Sequence, residues 1–321
     1  MGLISGYTIP ARKFLIQKVM LRVCYGLTPL VLASVYLFGW RALALLAVVL
    51  ACGVAAEALF AFRNGQPVTS AVLVTGLIFF LSLPPTIPFW MAAVGIVAGV
   101  CFGKMVFGGF GMNTFNPAMV GRCFIYVTFP IQMTGQWAAP AAGPLGGLAA
   151  WTVSVDAVTQ ATPLVALKHG GAVPWLDLFL GNVSGSLGET SALLIILSGL
   201  YLVYTKAASW RLAGSFLLGG LIVSGLHQAL GSSATLAPIP TLLSGSFLFG
   251  CAFVITEPIT GPKTQPAQWF YGLTAGALVV VLRAYSNFAE GVMFAVLLVN
   301  SFAPLMDHAV RAWQARKGAA R

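Results

Sequence analysis

About ten apolar segments, most of them long enough to cross a bilayer, constrain the fold of this chain more than any other feature. A membrane-spanning helix needs roughly 20 apolar residues, and the chain is 59% hydrophobic and only 7% charged, against about 25% charged in a typical soluble domain. The sequence therefore predicts an all-α polytopic membrane protein. The predicted spans cover approximately residues 23–39, 42–61, 68–84, 88–106, 118–135, 190–205, 211–230, 240–256, 267–284 and 290–306.

The lysines and arginines predict how these spans are oriented, because cytoplasmic connections carry an excess of them. With the N-terminus inside, only Arg41, Lys168 and Arg283 of the 17 basic residues fall in outer connections. We therefore expect a multi-pass protein of the bacterial inner membrane with both termini cytoplasmic. The polar connection that contains Thr162 would then face the periplasm.

The spans divide five and five around one polar connection. We expect a cytoplasmic lead-in at 1–22 without a cleavage signal, a first half at 23–135, a connection at 136–187, a second half at 188–306 and a basic tail at 307–321. An odd number of spans in each half inverts the second half relative to the first, as in transporters built from inverted repeats.

Charge and cysteine usage argue against two function classes. The net charge of +10 comes from basic residues between apolar spans rather than on one face, so we expect no nucleic-acid partner. The five cysteines form no C-x-x-C pair, and the three histidines are scattered. No metal site is therefore predicted.

The segment FGKMVFGGFGMNTFNPAMVGR, residues 102–122, interrupts the membrane region with glycines, amides and cations. Irregular backbone at that depth is tolerated where it is buried in protein or lines a cavity. A flavin or quinone site is one interpretation, with glycines for close approach, amides for hydrogen bonds and cations for a phosphate or an anionic ring. The other is a helix-packing seam whose cations extend to the cytoplasmic surface. The candidate residues are Lys104, Gly108, Gly109, Asn113, Asn116 and Arg122, and the Asn116–Pro117 step can open the next helix.

Three of the carboxylates that lie in or beside the spans are candidate site residues. Glu57 is an ion-path candidate or reaches the interface near Arg63. Glu189 is a second ion-path candidate, although Ser186 and Glu189 also match a helix capping box. Glu257, in TEPITGPKT, ends a span on the predicted cytoplasmic side and joins the flavin or quinone candidates.

The polar stretch SVDAVTQATPL, residues 154–164, leaves two interpretations open. The three-residue spacing of Asp156, Thr159 and Thr162 is typical of a turn. Because Thr162 precedes Pro163, its backbone is biased toward an extended conformation, which would expose the hydroxyl to a modifying enzyme.

Five motifs, FGKMVFGGFGMNTFNPAMVGR, FPIQMTGQW, VDAVTQATPL, LFLGNVSGSLGETSALL and FVITEPITGPKT, together resemble the NqrB/RnfD family. These are membrane subunits of the sodium-translocating NADH:quinone oxidoreductase and of the Rnf electron transport complex. The resemblance runs from about Lys18 to Asp307. The short N-terminus is closer to RnfD, whereas FPIQMTG and ATPL are closer to NqrB.

The resemblance implies FMN joined through its phosphate to the hydroxyl of Thr162. The family motif D-x-x-[ST]-G-A-[ST] places Asp156, Thr159 and Ala161 as the recognition residues of a periplasmic flavin transferase. Gln160 stands where glycine is usual, and a bulky residue there can hinder the transferase.

The resemblance further implies a non-covalent riboflavin, a quinone in the sodium-pumping branch, and transport of sodium or protons. The partners would be the other subunits of the complex, including a second covalent flavoprotein. Met105 stands where many sodium-pumping members have an acidic residue. No dehydrogenase motif is found, so another subunit would oxidise the electron donor. The alternative is a cofactor-free secondary transporter or channel.

Overall fold

A computed structural model of the chain describes residues 14–135, 137–141, 143–152, 162–168, 171, 173–231, 238–286 and 290–319. These residues are helical apart from their connections and one isolated β-bridge, between Leu15 and Thr69, which confirms the predicted all-α class. The helices of the first half and the connection are α1 (Lys18–Phe38), α2 (Arg41–Arg63), α3 (Ala71–Leu81), α4 (Phe89–Gly103), α5 (Pro117–Thr128), α6 (Pro130–Thr134), α7 (Pro163–Lys168) and α8 (Trp175–Leu180). Those of the second half are α9 (Ala192–Tyr204), α10 (Trp210–Ala229), α11 (Pro238–Leu243), α12 (Phe247–Phe249), α13 (Gln265–Tyr285) and α14 (Val292–Ala319).

Among the described residues, six helices are long and apolar enough to cross a membrane. They are Lys18–Phe38, Arg41–Arg63, Phe89–Phe107, Trp210–Ala229, Gln265–Tyr285 and Val292–Lys317. The other four predicted spans form shorter or interrupted helices. α3 and α9 have 11 and 13 residues.

Local chemistry explains the two interrupted spans. In the fifth, Phe129 leaves the helical conformation before Pro130, which starts α6, because a residue that precedes proline is disfavoured in a helix. In the eighth, α11 ends before Gly245, whose φ is +60°. α12 then continues as a π-helical turn at Gly250–Val254, a helix type that occurs mostly in single turns at functional sites.

The order of helix packing is the same in the two halves. In the first half α1 packs on α3, α2 on α4 and α4 on α5. In the second half α9 packs on the π-helical turn, α10 on α13 and α13 on α14. Across the halves α1 contacts α9, and α5 contacts α14. Inverted orientation of the halves and the domain boundaries stay predictions.

Glycines allow the closest helix contacts in both halves. A Cβ atom added at Gly99 of α4 would lie 2.5 Å from the carbonyl oxygen of Pro117. One added at Gly276 of α13 would lie 2.0 Å from the carbonyl oxygen of Phe216 in α10. Small residues at such positions let helix backbones approach within a membrane. These contacts fix the helices that carry the polar residues described below.

Candidate functional site

A central cavity lies where the two halves meet. Its walls come from α1, α3, the glycine-rich segment, the start of the α9–α10 connection and the chain from Phe253 to Ile259. Most of the wall is apolar. The polar residues that line it are Thr75, Lys104, Asn113, Asn116, Thr256 and Glu257. Four of these six residues are flavin or quinone candidates from the sequence: Lys104, Asn113, Asn116 and Glu257.

Lys104 is buried at the cavity wall and does not extend to the membrane surface. Its Nζ donates to Glu57 Oε2 at 2.6 Å and to Thr69 Oγ1 at 3.1 Å. Glu57 is equally buried, and its Oε1 accepts the backbone N–H of Thr69 at 3.0 Å and the Thr69 hydroxyl at 2.8 Å. The alternative in which Glu57 reaches the interface near Arg63 is therefore wrong. These two bonds use two of the three N–H donors of the ammonium group.

The glycine-rich segment reverses direction before it reaches the cavity. Gly108, Gly109 and Gly111 have φ of +109°, +99° and +86°, a region that favours glycine. Gly108 and Gly109 do not line the central cavity. They shape the turn that brings Asn113 to the wall, and their backbone contacts Gln66, whose Nε2 donates to Gly108 O at 3.3 Å.

The amides of this segment have different roles. Asn116 caps α5, and its Oδ1 accepts the backbone N–H groups of Ala118 at 3.0 Å and Met119 at 3.2 Å. The expectation that Asn116 and Pro117 open a helix is confirmed. Asn113 donates to Phe115 O at 3.3 Å, but its buried Oδ1 accepts no hydrogen bond in the described part of the chain. Such an atom is costly without a partner, so Asn113 can accept a bond from a ligand.

Glu257 faces the cavity without a cation bonded to it. The Thr260 hydroxyl donates to its Oε2 at 2.9 Å. None of the three ion pairs among the described residues includes Glu257. Lys263, six residues further on, donates to the carbonyl groups of Pro258 and Ile259 instead.

A second buried cluster is centred on Arg122, which does not line the central cavity. Its Nη1 donates to Glu189 Oε1 at 2.9 Å, and its Nη2 donates to Glu290 Oε2. Arg283 is buried nearby, donates to the carbonyl groups of Thr241 and Ser244, and interacts electrostatically with both carboxylates. We name Arg122, Glu189, Glu290 and Arg283 the arginine cluster; it joins α5 to the segments before α9 and α14.

The arginine cluster corrects two expectations. The interpretation in which the cations reach the surface is wrong for Arg122, which is 3% exposed. The capping box at Ser186 and Glu189 is also wrong: α9 starts at Ala192, and the Ser191 hydroxyl caps it by accepting Leu194 N–H at 3.4 Å. Sequence reasoning did not single out Glu290. An acidic residue just before an apolar span was the available signal.

Thr162 lines a second cavity, which we name the Thr162 cavity. Its hydroxyl accepts a long bond, 3.4 Å, from Val165 N–H at the start of α7. Glu189 and Glu290 line the same cavity, as does Trp137. The other predicted motif residues lie outside the described residues. They are Asp156, Thr159, Gln160 and Ala161.

The arginine cluster forms part of two adjoining spaces. Glu189 and Glu290 line the Thr162 cavity, and with Arg122 they also line a void of about 210 Å³ that reaches Val254. The preceding residue, Phe253, lines the central cavity. Charged side chains line all three spaces: Glu189 and Glu290 the first two, and Lys104 and Glu257 the central cavity.

Comparisons with known proteins agree with the resemblance seen in the sequence. The profile of the NQR2, RnfD, RnfE family matches residues 9–315. The chain is 40% identical over 266 residues to a subunit of the Na(+)-translocating NADH-quinone reductase of Pseudomonas paraeruginosa (strain DSM 24068 / PA7) and to the same subunit from Pseudomonas aeruginosa (strain LESB58). It is 38% identical over 266 residues to the protein of the same name from Azotobacter vinelandii. Each match covers 79% of this chain and 63% of the relative.

Proposed function

This chain belongs to the NQR2, RnfD, RnfE family, and from that premise we propose that it is a flavin-carrying membrane subunit of an ion-translocating electron transport complex. FMN would be bound covalently to Thr162, and a second flavin or a quinone would occupy the central cavity. Electrons would pass between them and drive the movement of sodium or protons. The chain spans about 63% of the length of the curated relatives that it matches.

The observation that carries the proposal is the position of Thr162. Its hydroxyl borders the Thr162 cavity and, among the described residues, accepts one long hydrogen bond, so a phosphoryl group attached there would adjoin that cavity. Trp137, in the same wall, donates its indole N–H to Thr134 O at 2.9 Å, which fixes the ring. A fixed aromatic surface beside the attachment point suits a planar group.

The central cavity fits a second planar ligand by its polar groups. The buried Asn113 Oδ1 lacks a donor among the described residues, and Lys104 has a third N–H beyond those given to Glu57 and Thr69. A ring with one N–H group and one carbonyl group would satisfy both. Flavins, when bound, would supply the electron-carrying chemistry, whereas these residues orient the ring and exclude water.

Both cations named from the sequence are already paired with carboxylates. Lys104 bonds Glu57, and Arg122 bonds Glu189 and Glu290. Neither therefore brings an uncompensated positive charge to a bound ring. We propose that Lys104 and Arg122 fix the geometry of the two sites. The coupling ion would pass near carboxylates that have no bonded cation, such as Glu257.

Covalent attachment is tested by co-expressing the chain with an active flavin transferase. After denaturing electrophoresis, the wild-type band should fluoresce, and Thr162→Ala should abolish the fluorescence. Gln160→Gly restores the usual motif and should increase the labelled fraction. A wild-type chain without fluorescence, and without an FMN-sized mass increase on the peptide that contains Thr162, would contradict the covalent part of the proposal.

A cofactor-free transporter is the second candidate, and the repeated packing order of the two halves favours it. Both halves surround the central cavity and meet there through α1 and α9. The same co-expression separates the candidates. A chain that lacks both covalent and extractable flavin, yet moves sodium in vesicles, would support the transporter.

A further inference from the structure

Glu257 is a carboxyl group that faces the central cavity without a counter-ion bonded to it. It lies in the connection between the π-helical turn and α13, at the end of the cavity that holds Lys104. The Thr260 hydroxyl donates a hydrogen bond to its Oε2. The Asn113 side chain, which lines the same cavity, also hydrogen-bonds this carboxyl group.

The charged groups around Glu257 do not fully compensate a negative charge on its carboxyl group. Lys104 interacts with it electrostatically but has its closest ionic contact, 2.6 Å, with Glu57. Lys263 also interacts with it electrostatically, but is exposed and bonds backbone carbonyl groups. Lys104 and Glu257 both line the cavity, but Lys104 is ion-paired with Glu57, and no ion pair among the described residues includes Glu257. Burial of an unpaired carboxylate favours its neutral, protonated form.

The pKa of Glu257 follows this arrangement. Burial raises it to about 7, and the Thr260 hydroxyl, Lys104, Lys263 and Asn113 oppose that rise. A carboxyl group with a pKa near the working pH is suited to donate and to regain a proton. Glu57, by contrast, accepts three hydrogen bonds from Lys104 and Thr69.

We propose that Glu257 is the proton donor for the ligand that is reduced in the central cavity. This inference rests on the proposed function, because it requires a reducible ring there. With such a ring bound, an electron from a one-electron carrier of the complex, a flavin or an iron–sulfur centre, would be accompanied by the proton of the Glu257 carboxyl group. The O–H bond would break as that proton bonded a nitrogen or oxygen atom of the ring. The carrier would be oxidised, the ring reduced, and Glu257 left as a carboxylate.

The structure offers Glu257 a short route to regain its proton. Pro258, the next residue, and Lys263 are exposed at the same connection, so water reaches the chain within one residue of the carboxyl group. The carboxylate would take a proton from that side, whereas Lys104 and Asn113 keep the ring in place. One proton thus enters the cavity for each proton that the ring receives.

The test uses the complete complex purified with its flavins, or with riboflavin added as the probe. In Glu257→Gln, non-covalent flavin should remain bound, and its rate of reduction should fall about 100-fold, the usual contribution of a positioned acid. In the wild type the rate should decrease as the pH rises through about 7, because the protonated form is lost there. Glu257→Gln should lack this pH step, and Glu257→Asp should partly restore it.

Infrared difference spectra of the reduced and oxidised complex give a readout that does not depend on turnover. The wild type should lose the carbonyl stretch of a protonated carboxylic acid on reduction, and Glu257→Gln should lack that band. Asp177→Asn, an acid-to-amide change outside the central cavity, is the matched control and should keep both the band and the pH step. An unchanged band or pH step in Glu257→Gln overturns the inference even where flavin is bound. Absence of any flavin in the wild-type cavity overturns the proposed function of that cavity and the inference with it.

Discussion

The two buried ionic groups of this protein differ in how their charges balance. The arginine cluster has two guanidinium groups, Arg122 and Arg283, for two carboxylates, Glu189 and Glu290. At the central cavity Lys104 is ion-paired with Glu57, and no ion pair among the described residues includes the cavity-lining Glu257.

This difference separates a structural role from a chemical one. A balanced cluster that joins α5 to the segments before α9 and α14 stabilises one arrangement of the two halves, since a buried charge without its partner is costly. A site with an uncompensated negative charge favours binding of a proton or a cation. The balanced charges of the arginine cluster therefore indicate a structural role for Arg122. The uncompensated carboxyl group of Glu257 indicates proton exchange.

The largest effect is expected from breaking the arginine cluster. Arg122→Met leaves Glu189 and Glu290 without their guanidinium partner, and loss of one partner from a buried ion pair costs about 3–5 kcal/mol. We expect little folded protein in detergent and a lower melting temperature, measured by thermal unfolding and gel filtration.

The neutral variant of the same cluster is the control. Arg122→Met combined with Glu189→Gln and Glu290→Gln removes the unpaired charges together and should recover much of the lost stability. If the combined variant is no more stable than Arg122→Met alone, the loss comes from packing, and our account of the cluster is incorrect.

A smaller effect is expected at the central cavity. Lys104→Met should lower stability by about 2 kcal/mol, because Glu57 keeps both hydrogen bonds from Thr69 after its cation is removed. The variant should also release non-covalent flavin, which is measured by extraction and fluorescence. Lys104→Met with Glu57→Gln should regain stability but not flavin; recovery of the flavin would show that the ammonium group does not bind the ring.

The smallest effect is expected at a partly exposed carboxylate. Asp307 of α14 accepts the backbone N–H groups of Lys263 at 2.7 Å and Thr264 at 2.9 Å, and the Thr264 hydroxyl at 2.6 Å. Asp307→Asn keeps one acceptor and should cost about 1 kcal/mol, as for loss of a helix cap. A melting-temperature decrease as large as that of Arg122→Met would contradict the distinction between buried and exposed carboxylates.

Part of the candidate site was predictable because its signals are local. Glycines, amides and a lysine inside a membrane segment indicate irregular backbone that lines a cavity, and Lys104, Asn113 and Asn116 do line one. The Asn116–Pro117 step correctly predicted the start of α5. Glu290 and Arg283 were missed, because nothing near them in sequence indicates that they lie beside Arg122.

By itself the sequence determined the all-α membrane class, since apolar length and proline or glycine positions act through the local backbone and the bilayer. It also determined the family resemblance through five motifs. Only the tertiary structure decided which charges are compensated. Lys104 pairs with a residue 47 positions away and Arg122 with residues 67 and 168 positions away, and such partners meet only when the helices pack. Glu257 remains without a bonded cation for the same reason.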